Sequence, residues 1–198
     1  PIFGRLSPRF MIARSLRVQK SSKIGLIVSD IRNPFFTAIG RAVEDAAYEK
    51  GYSVLMCNTD EDPDKEELYL NLLYDENVAG VIFSPTHQFN INSQTYNQKM
   101  PFVIIDRAVD SSDVDMVLLD NVAAAYELTE HLISNGYKKL AGLFGDASTT
   151  GQERSRGFHK ALKDHHLSPV AAHFIAPRIQ QGYETSMALL SQADRPDA

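Results

Sequence analysis

The chain has one cysteine, Cys57, in 198 residues, so no disulfide can close within it, and a reducing cytoplasm is the expected compartment. No apolar run approaches the roughly 20 residues that cross a bilayer, and the mixed, basic first residues lack the apolar centre of a signal peptide. The common catalytic spacings are also missing. There is no G-x-S-x-G elbow, no Walker loop and no H-E-x-x-H. Gly142, Gly145 and Gly151 have neither dinucleotide nor P-loop spacing. Asp30 and Asp106 could form an acid/base pair, but no nucleophile or metal set accompanies them. His165 and His166 close a helix, where an imidazolium suits the dipole, and Cys57 falls within an apolar strand, the setting of an inert thiol. These absences assign no catalytic residue, no metal ligand and no cofactor, and the expectation is a protein that binds and does not catalyse.

What is present is ordinary globular composition, 43% apolar and 23% charged, with room for one large or two small domains. The net charge of −5 conceals an asymmetry. Arg5, Arg9, Arg14, Arg17, Lys20 and Lys23 stand in the first 23 residues without an acid, so the remainder carries −11. An acidic body is a poor nucleic-acid binder, whereas a basic arm can be one or can be a solvated terminus.

Strand and helix signals alternate along the body. "KIGLIVS" is a continuous apolar run of the kind buried on both faces of a sheet. Ile39, Val43, Ala46 and Ala47 then repeat at helical spacing, with Gly51 as the stop. "YSVLMCN" predicts a second strand. Asp62 and Pro63 open a helix as N-cap and first residue. "AGVIFSP", "PFVIIDR" and a short "DMVLLD" predict three more strands. Beyond them lie the helix "NVAAAYELTEHLISNG", the strand "KKLAGLFG", the helix "GQERSRGFHKALKDHH", the strand "AAHFIA" and the helix "QQGYETSMALLSQ". Alternation of this kind predicts an α/β fold with parallel sheets and helices on both faces. A strand is expected after "DRPDA", without which the last helix would have little to cover, so the chain reads as cut short.

In open parallel sheets, ligands gather at the carboxyl ends of strands. Those ends supply Asp30 to Phe36, Ser84-Pro85-Thr86, Asp106-Arg107, Asp120-Asn121, and Gly145 to Arg154. Carboxylates, amides and guanidinium groups make paired hydrogen bonds to vicinal hydroxyls, and aromatic rings cover the C–H face of a sugar. In "IGLIVSDIRNPFF" the strand therefore ends in a polar group, Asn33, beside a potential wall of Phe35 and Phe36. The plainer alternative has Asn33-Pro34 merely starting a helix with both rings in the core. Burial of both rings directly after a turn would be unusual.

"SSKIGLIVSDIRNPFF", "EKGYSVLMCNTDED", "VAGVIFSP", "PFVIIDR", "DNVAAAYELTEHLISNGYKKLAGLFG", "ERSRGFHKAL" and "RPDA", in this order, resemble the LacI/GalR family of bacterial transcription regulators and the periplasmic sugar-binding proteins that share its fold. The resemblance implies a two-lobed, periplasmic-binding-protein-like core that closes on a small effector and thereby alters operator binding. "ARSLR" resembles the regulators' hinge helix. By that likeness Leu16 would wedge into the operator minor groove, in the segment holding Ala13, Arg14 and Arg17. For the effector, the likeness implies Asn33, Phe35, Phe36, Asp106, Arg107 and Arg154, with Asp30, Ser84, Thr86 and Asp120 as weaker candidates. It also implies a homodimer.

The sequence departs from the family pattern in two places. No helix-turn-helix precedes "ARSLR", so this chain by itself is not expected to bind an operator specifically. Ala176-Pro177-Arg178 stands where relatives often place a stacking ring, which speaks against a plain pentose effector. The expected organisation is a basic arm over 1–22, a first effector-binding lobe over 23–119 and a partial second lobe over 120–198. The implied ligand is a sugar or sugar phosphate, with operator DNA a partner of the intact protein and no membrane partner. A transport-type sugar-binding protein is the alternative.

Overall fold

In the computed structural model, residues 21–89, 100–111, 113–146 and 148–198 are described. The hinge-like residues Ala13, Arg14, Leu16 and Arg17 lie outside them. The chain divides into two compact units, one running to Ile105 and including Val109–Val117, the other made of Asp106–Ala108 and Leu118–Ala198.

The first unit is built on β1 (Lys23–Val28), whose apolar run is covered on both sides. Helix α1 (Pro34–Glu49) leads to β2 (Ser53–Asn58), and α2 (Pro63–Asp75) leads to β3 (Val81–Phe83). Strands β4 (Phe102–Ile105) and β5 (Asp115–Val117) complete a five-stranded sheet, ordered β2-β1-β3-β4-β5 and parallel throughout. Alternate side chains serve opposite faces, as the pleat requires. Ile27, Val81, Phe83 and Ile104 pack with Leu70 and Leu73 of α2. Leu26, Val28 and Ile105 pack with Phe36 of α1, joined by Ile39, Val43 and Ile82. Gly25 lets α2 come close, since a Cβ there would lie 2.6 Å from Leu73 Cδ1.

Both helix starts follow the local chemistry. Asn33 and Asp62 are extended N-caps whose side-chain oxygens accept from Phe35 N and Asp64 N, with Pro34 and Pro63 just inside. Gly51 takes a positive φ of 76° after α1. Ala46 departs from its predicted inward face and is exposed, while Ala47 is buried.

The second unit contains α3 (Asn121–Ser134), β6 (Ala141–Gly145), α4 (Thr149–Asp164), β7 (Ala171–Ile175) and α5 (Ile179–Leu190). Strands β6 and β7 pair in parallel. Leu140, Phe144, Phe158 and Leu162 form its core, with Leu132, Ile133 and Ala172 against them. Helix α4 begins two residues before the predicted Gly151, where Ser148 Oγ accepts from Gly151 N at 3.1 Å. Gly151 is therefore not a break. It allows contact with the end of β6, because a Cβ would stand 2.0 Å from Gly145 O. The last residues also join β6: Ala141 N donates to Ala198 O at 2.9 Å, and Asp197 N donates to Lys139 O at 2.8 Å. Helix α5 buries Leu189, while Ile179, Tyr183, Met187 and Leu190 are exposed. Among the described residues no helix is long and apolar enough to cross a membrane.

Candidate functional site

At the carboxyl end of β1 the chain turns over a polar cluster. Arg32 grips Asp30 with two parallel bonds, Nε to Oδ1 and Nη2 to Oδ2, each 2.9 Å, and the Arg32 amide also donates to Oδ1. The guanidinium beside it holds the Asp30 carboxyl below the ordinary aspartate range. The end of β2 supports the same turn. Asn58 Oδ1 accepts from Ile31 N at 2.9 Å, and Asn58 Nδ2 donates to Asp60 Oδ1 at 2.8 Å. Lys65 donates to Asp60 Oδ2 at 2.6 Å, and this bond, then the one from Asn58, lowers the Asp60 carboxyl. Asp60 and Glu61 take φ values of 53° and 62°, a left-handed pair that carries the chain from β2 toward α2.

The two phenylalanines divide their roles. Phe36 is 3% exposed and belongs to the core, whereas Phe35 is 47% exposed, its ring edge-on to Phe36 at 5.1 Å. Asn33 uses Oδ1 for the cap of α1, and its amide nitrogen is the donor that this bond leaves unused. Ser84 and Thr86, at the end of β3, are buried. The Ser84 hydroxyl lies 3.2 Å from that of Ser29. Glu66, buried on α2, accepts from Thr86 N at 2.5 Å and from Thr86 Oγ1 at 3.2 Å.

In the second unit, Asp106 follows β4 with a φ of 68°, which ends the strand. Arg107 Nε lies 3.6 Å from Asp106 Oδ2, both side chains being largely covered. Asp120 caps α3 through Ala123 N at 2.9 Å. Arg154, on α4, donates from Nε to Asn121 Oδ1 at 2.8 Å. Asn121 Nδ2 donates to Glu153 Oε2 at 3.0 Å and to Leu119 O at 3.2 Å. Gly157 explains how these helices meet, since a Cβ there would be 2.2 Å from Val122 O. Phe158, next along, enters the core. The pattern R-x-x-G-F thus places a cation, a close helix crossing and a core ring on successive parts of one helix.

The structure therefore gathers Asp30, Asn33 and Phe35 on one turn, keeps Ser84 and Thr86 inside the first unit, and groups Asp106, Arg107, Asp120 and Arg154 within the second. Sequence reasoning held Arg32 within the span Asp30 to Phe36 without singling it out, and passed over Asn58, Asp60, Lys65 and Glu66. The strand-end rule that found Asp30 would have found Asn58 and Asp60 at the end of β2.

The family model described as periplasmic binding proteins and sugar binding domain of LacI family matches residues 21–198. This chain belongs to that family. Among curated relatives of this LacI-family chain, the HTH-type transcriptional repressor PurR of Mannheimia succiniciproducens is 32% identical over 195 residues, covering 94% of this chain and 58% of the relative. The ribose operon repressor of Halalkalibacterium halodurans is 36% identical, covering 90% and 53%. The chain thus spans a little over half the length of these relatives. A LacI family transcriptional regulator of Enterococcus faecium, solved with bound ribose, is 28% identical with a TM-score of 0.74, covering 86% of this chain and 64% of that one. The periplasmic binding protein/LacI transcriptional regulator of Alkaliphilus metalliredigens, complexed with D-xylulofuranose, is 27% identical with a TM-score of 0.72, covering 81% and 59%.

Among the described residues no three His, Cys, Asp or Glu side chains are grouped to hold a metal ion. Cys57 is buried in this LacI-family fold, and desolvation pushes its thiol up.

Proposed function

We propose that this chain is the effector-binding part of a LacI-type transcription regulator, and that binding of a small sugar-like molecule changes operator affinity in the intact, homodimeric, cytoplasmic protein. Its two compact units act as the two effector-binding lobes. The observation that carries this reading is the family match over 21–198 together with polar groups at the strand ends. Phe35 supplies an exposed ring, Asn33 an amide, Asp106-Arg107 a carboxylate beside a guanidinium, and Arg154 a second guanidinium. Asp30, Ser84, Thr86 and Asp120 are the weaker candidates for contact with the effector. The protein works by differential binding and catalyses nothing: an effector shifts the equilibrium only as far as it prefers one state. In the hinge segment, Ala13, Arg14, Leu16 and Arg17 contact operator DNA. The regulator names of the curated relatives favour this role over transport.

The test is a thermal-shift screen of the 198-residue chain against D-ribose, D-xylulose and fructose 1-phosphate, repeated with Arg154→Ala. At least one sugar is expected to raise Tm in the wild type and not in the variant. No shift with any sugar, or an equal shift in the variant, would overturn the assignment.

A further inference from the structure

The loop that leaves β3 is buried, whereas loops ordinarily run in solvent. Ser84, Pro85 and Thr86 are all covered. Strand β3 has three residues, and the last ladder bond at its end is from Ser84 N to Ile27 O at 3.0 Å. Proline has no N–H, so Thr86 N is the next donor, and a buried donor needs an acceptor within the protein. That acceptor is a side chain from α2. Glu66 Oε2 accepts from Thr86 N at 2.5 Å, and Oε1 accepts from the Thr86 hydroxyl at 3.2 Å. Glu66 is itself 4% exposed. It stands in the first turn of α2, where the helix dipole favours an anion, and the Thr86 donors solvate its charge in place of water. Beyond Thr86 the loop folds back, with Phe89 N donating to Thr86 O at 3.2 Å and the Phe89 ring edge-on to Phe83 at 4.8 Å. The carboxylate thus pins the loop between two points fixed by the sheet. Lys65, next to it, reaches the other way, to Asp60 after β2, but both members of that pair are exposed, and exposed pairs contribute little. The buried bond is the stronger constraint.

We propose that Glu66 is a positioning residue for effector recognition. It touches no ligand, and through Thr86 it fixes the place of the Ser84 hydroxyl, which lies 3.2 Å from that of Ser29 at the end of the adjoining strand β1. This rests on the effector-binding reading above and names the buried group that sets the polar contacts of the loop after β3. The loop needs an oxygen at the right reach, not a charge. Glutamine keeps that reach: its carbonyl oxygen accepts from Thr86 N, and its amide nitrogen donates to the Thr86 hydroxyl. Aspartate keeps the charge and falls one methylene short.

The test uses the full chain as wild type, Glu66→Gln, Glu66→Asp and Leu73→Ala, each shown to be folded by circular dichroism. Leu73 is a core residue of the same helix, beside Gly25 near the start of β1, so truncating it lowers stability away from the loop. D-ribose, D-xylulose and fructose 1-phosphate are each titrated by calorimetry, and the Thr86 amide proton, whose short bond to a carboxylate moves it downfield, is followed by NMR. Wild type is expected to bind at least one of the three. Glu66→Asp moves the Thr86 signal and weakens that binding roughly tenfold, as when about one molecule in ten holds the competent loop. Glu66→Gln stays within about threefold of wild type, since both bonds to Thr86 survive. Leu73→Ala leaves affinity and signal unchanged. Wild-type affinity in Glu66→Asp, or an unmoved Thr86 signal there, overturns the inference and leaves the effector-binding reading standing. So do equal losses in Glu66→Gln and Glu66→Asp, which would make charge the requirement, and a loss in Leu73→Ala as large as in Glu66→Asp, which would make it stability alone. No binding of any of the three by wild type removes the effector-binding reading, and the inference with it.

Discussion

Gly157→Ala isolates the contact on which the second unit's polar groups depend. The new Cβ would sit 2.2 Å from Val122 O, 2.9 Å from Tyr126 N and 3.0 Å from Ala125 Cβ. Ordinary carbon contacts lie at about 3.5–4.0 Å, so α3 would have to retreat by roughly 1 Å. Two of the three obstructing atoms are backbone, which cannot swing aside as a side chain does. Overpacking of this kind costs about 1–3 kcal/mol, and helix propensity returns about 0.8–1 kcal/mol on replacing Gly by Ala. With backbone in the way the larger costs apply, and a net loss of about 1–2 kcal/mol is expected. Gly182 in α5 is the control: nothing lies within 4 Å of its Cβ position, so Gly182→Ala keeps only the propensity gain, about 0.5–1 kcal/mol. One substitution type should thus act with opposite sign at two sites. Two compact units need not unfold in one transition, so the measurement is hydrogen exchange of α3 and α4 amides by mass spectrometry. Each 1.4 kcal/mol corresponds to about a tenfold change in the opening equilibrium. Exchange in α3 no faster in Gly157→Ala than in wild type would refute the close crossing of α3 and α4.

Glu66→Ala strands the buried amide and hydroxyl of Thr86 and should cost about 1–3 kcal/mol; an unchanged urea midpoint would show that the loop after β3 does not need the carboxylate. Asp30 has a depressed folded pKa because of Arg32, so the pairing contributes stability above the ordinary aspartate value, about 3.9, and that contribution is lost as pH falls through the lower folded value. Arg32→Ala should bring the Asp30 midpoint back up in a carboxyl NMR titration, and no movement would dismiss the ion pair as the cause. Cys57, buried with a raised thiol, should react slowly with a disulfide reagent in buffer and quickly in denaturant, a contrast that rapid labelling of the native chain would contradict.

The parallel sheet was legible because its central strands are continuous apolar runs and the segments between them change period from two to 3.6. The starts of α1 and α2 were legible because capping and proline chemistry act over a few residues. The split between Phe35 and Phe36 was visible only as alternatives, since adjacent residues on a helix point about 100° apart and the direction of the core depends on tertiary placement. Gly151 was misread as a helix start because sequence does not separate a glycine that bends the chain from one that permits an approach. The hydrogen bond from Ile31 N to Asn58 Oδ1 joins neighbouring strand ends, and Asn121 joins helices 33 positions apart; local pattern carries no record of such pairings. Glu66 was hidden for a simpler reason, since a glutamate in a helix rich in acids looks like solvent-facing charge.

The strand order also bears on how the first unit is made during synthesis. β1 emerges first yet lies inside the sheet, pairing Gly25 with Leu55 on one side and Val81 on the other. Its unpaired N–H and C=O edges must therefore wait through two helices before both are covered, and β5 at Asp115–Val117 closes the unit only after the chain has supplied Asp106–Ala108 to the other. Such late, non-local pairing slows folding and prolongs exposure of sticky edges. A nascent chain stalled before Val81 leaves one edge of β1 without its partner strand.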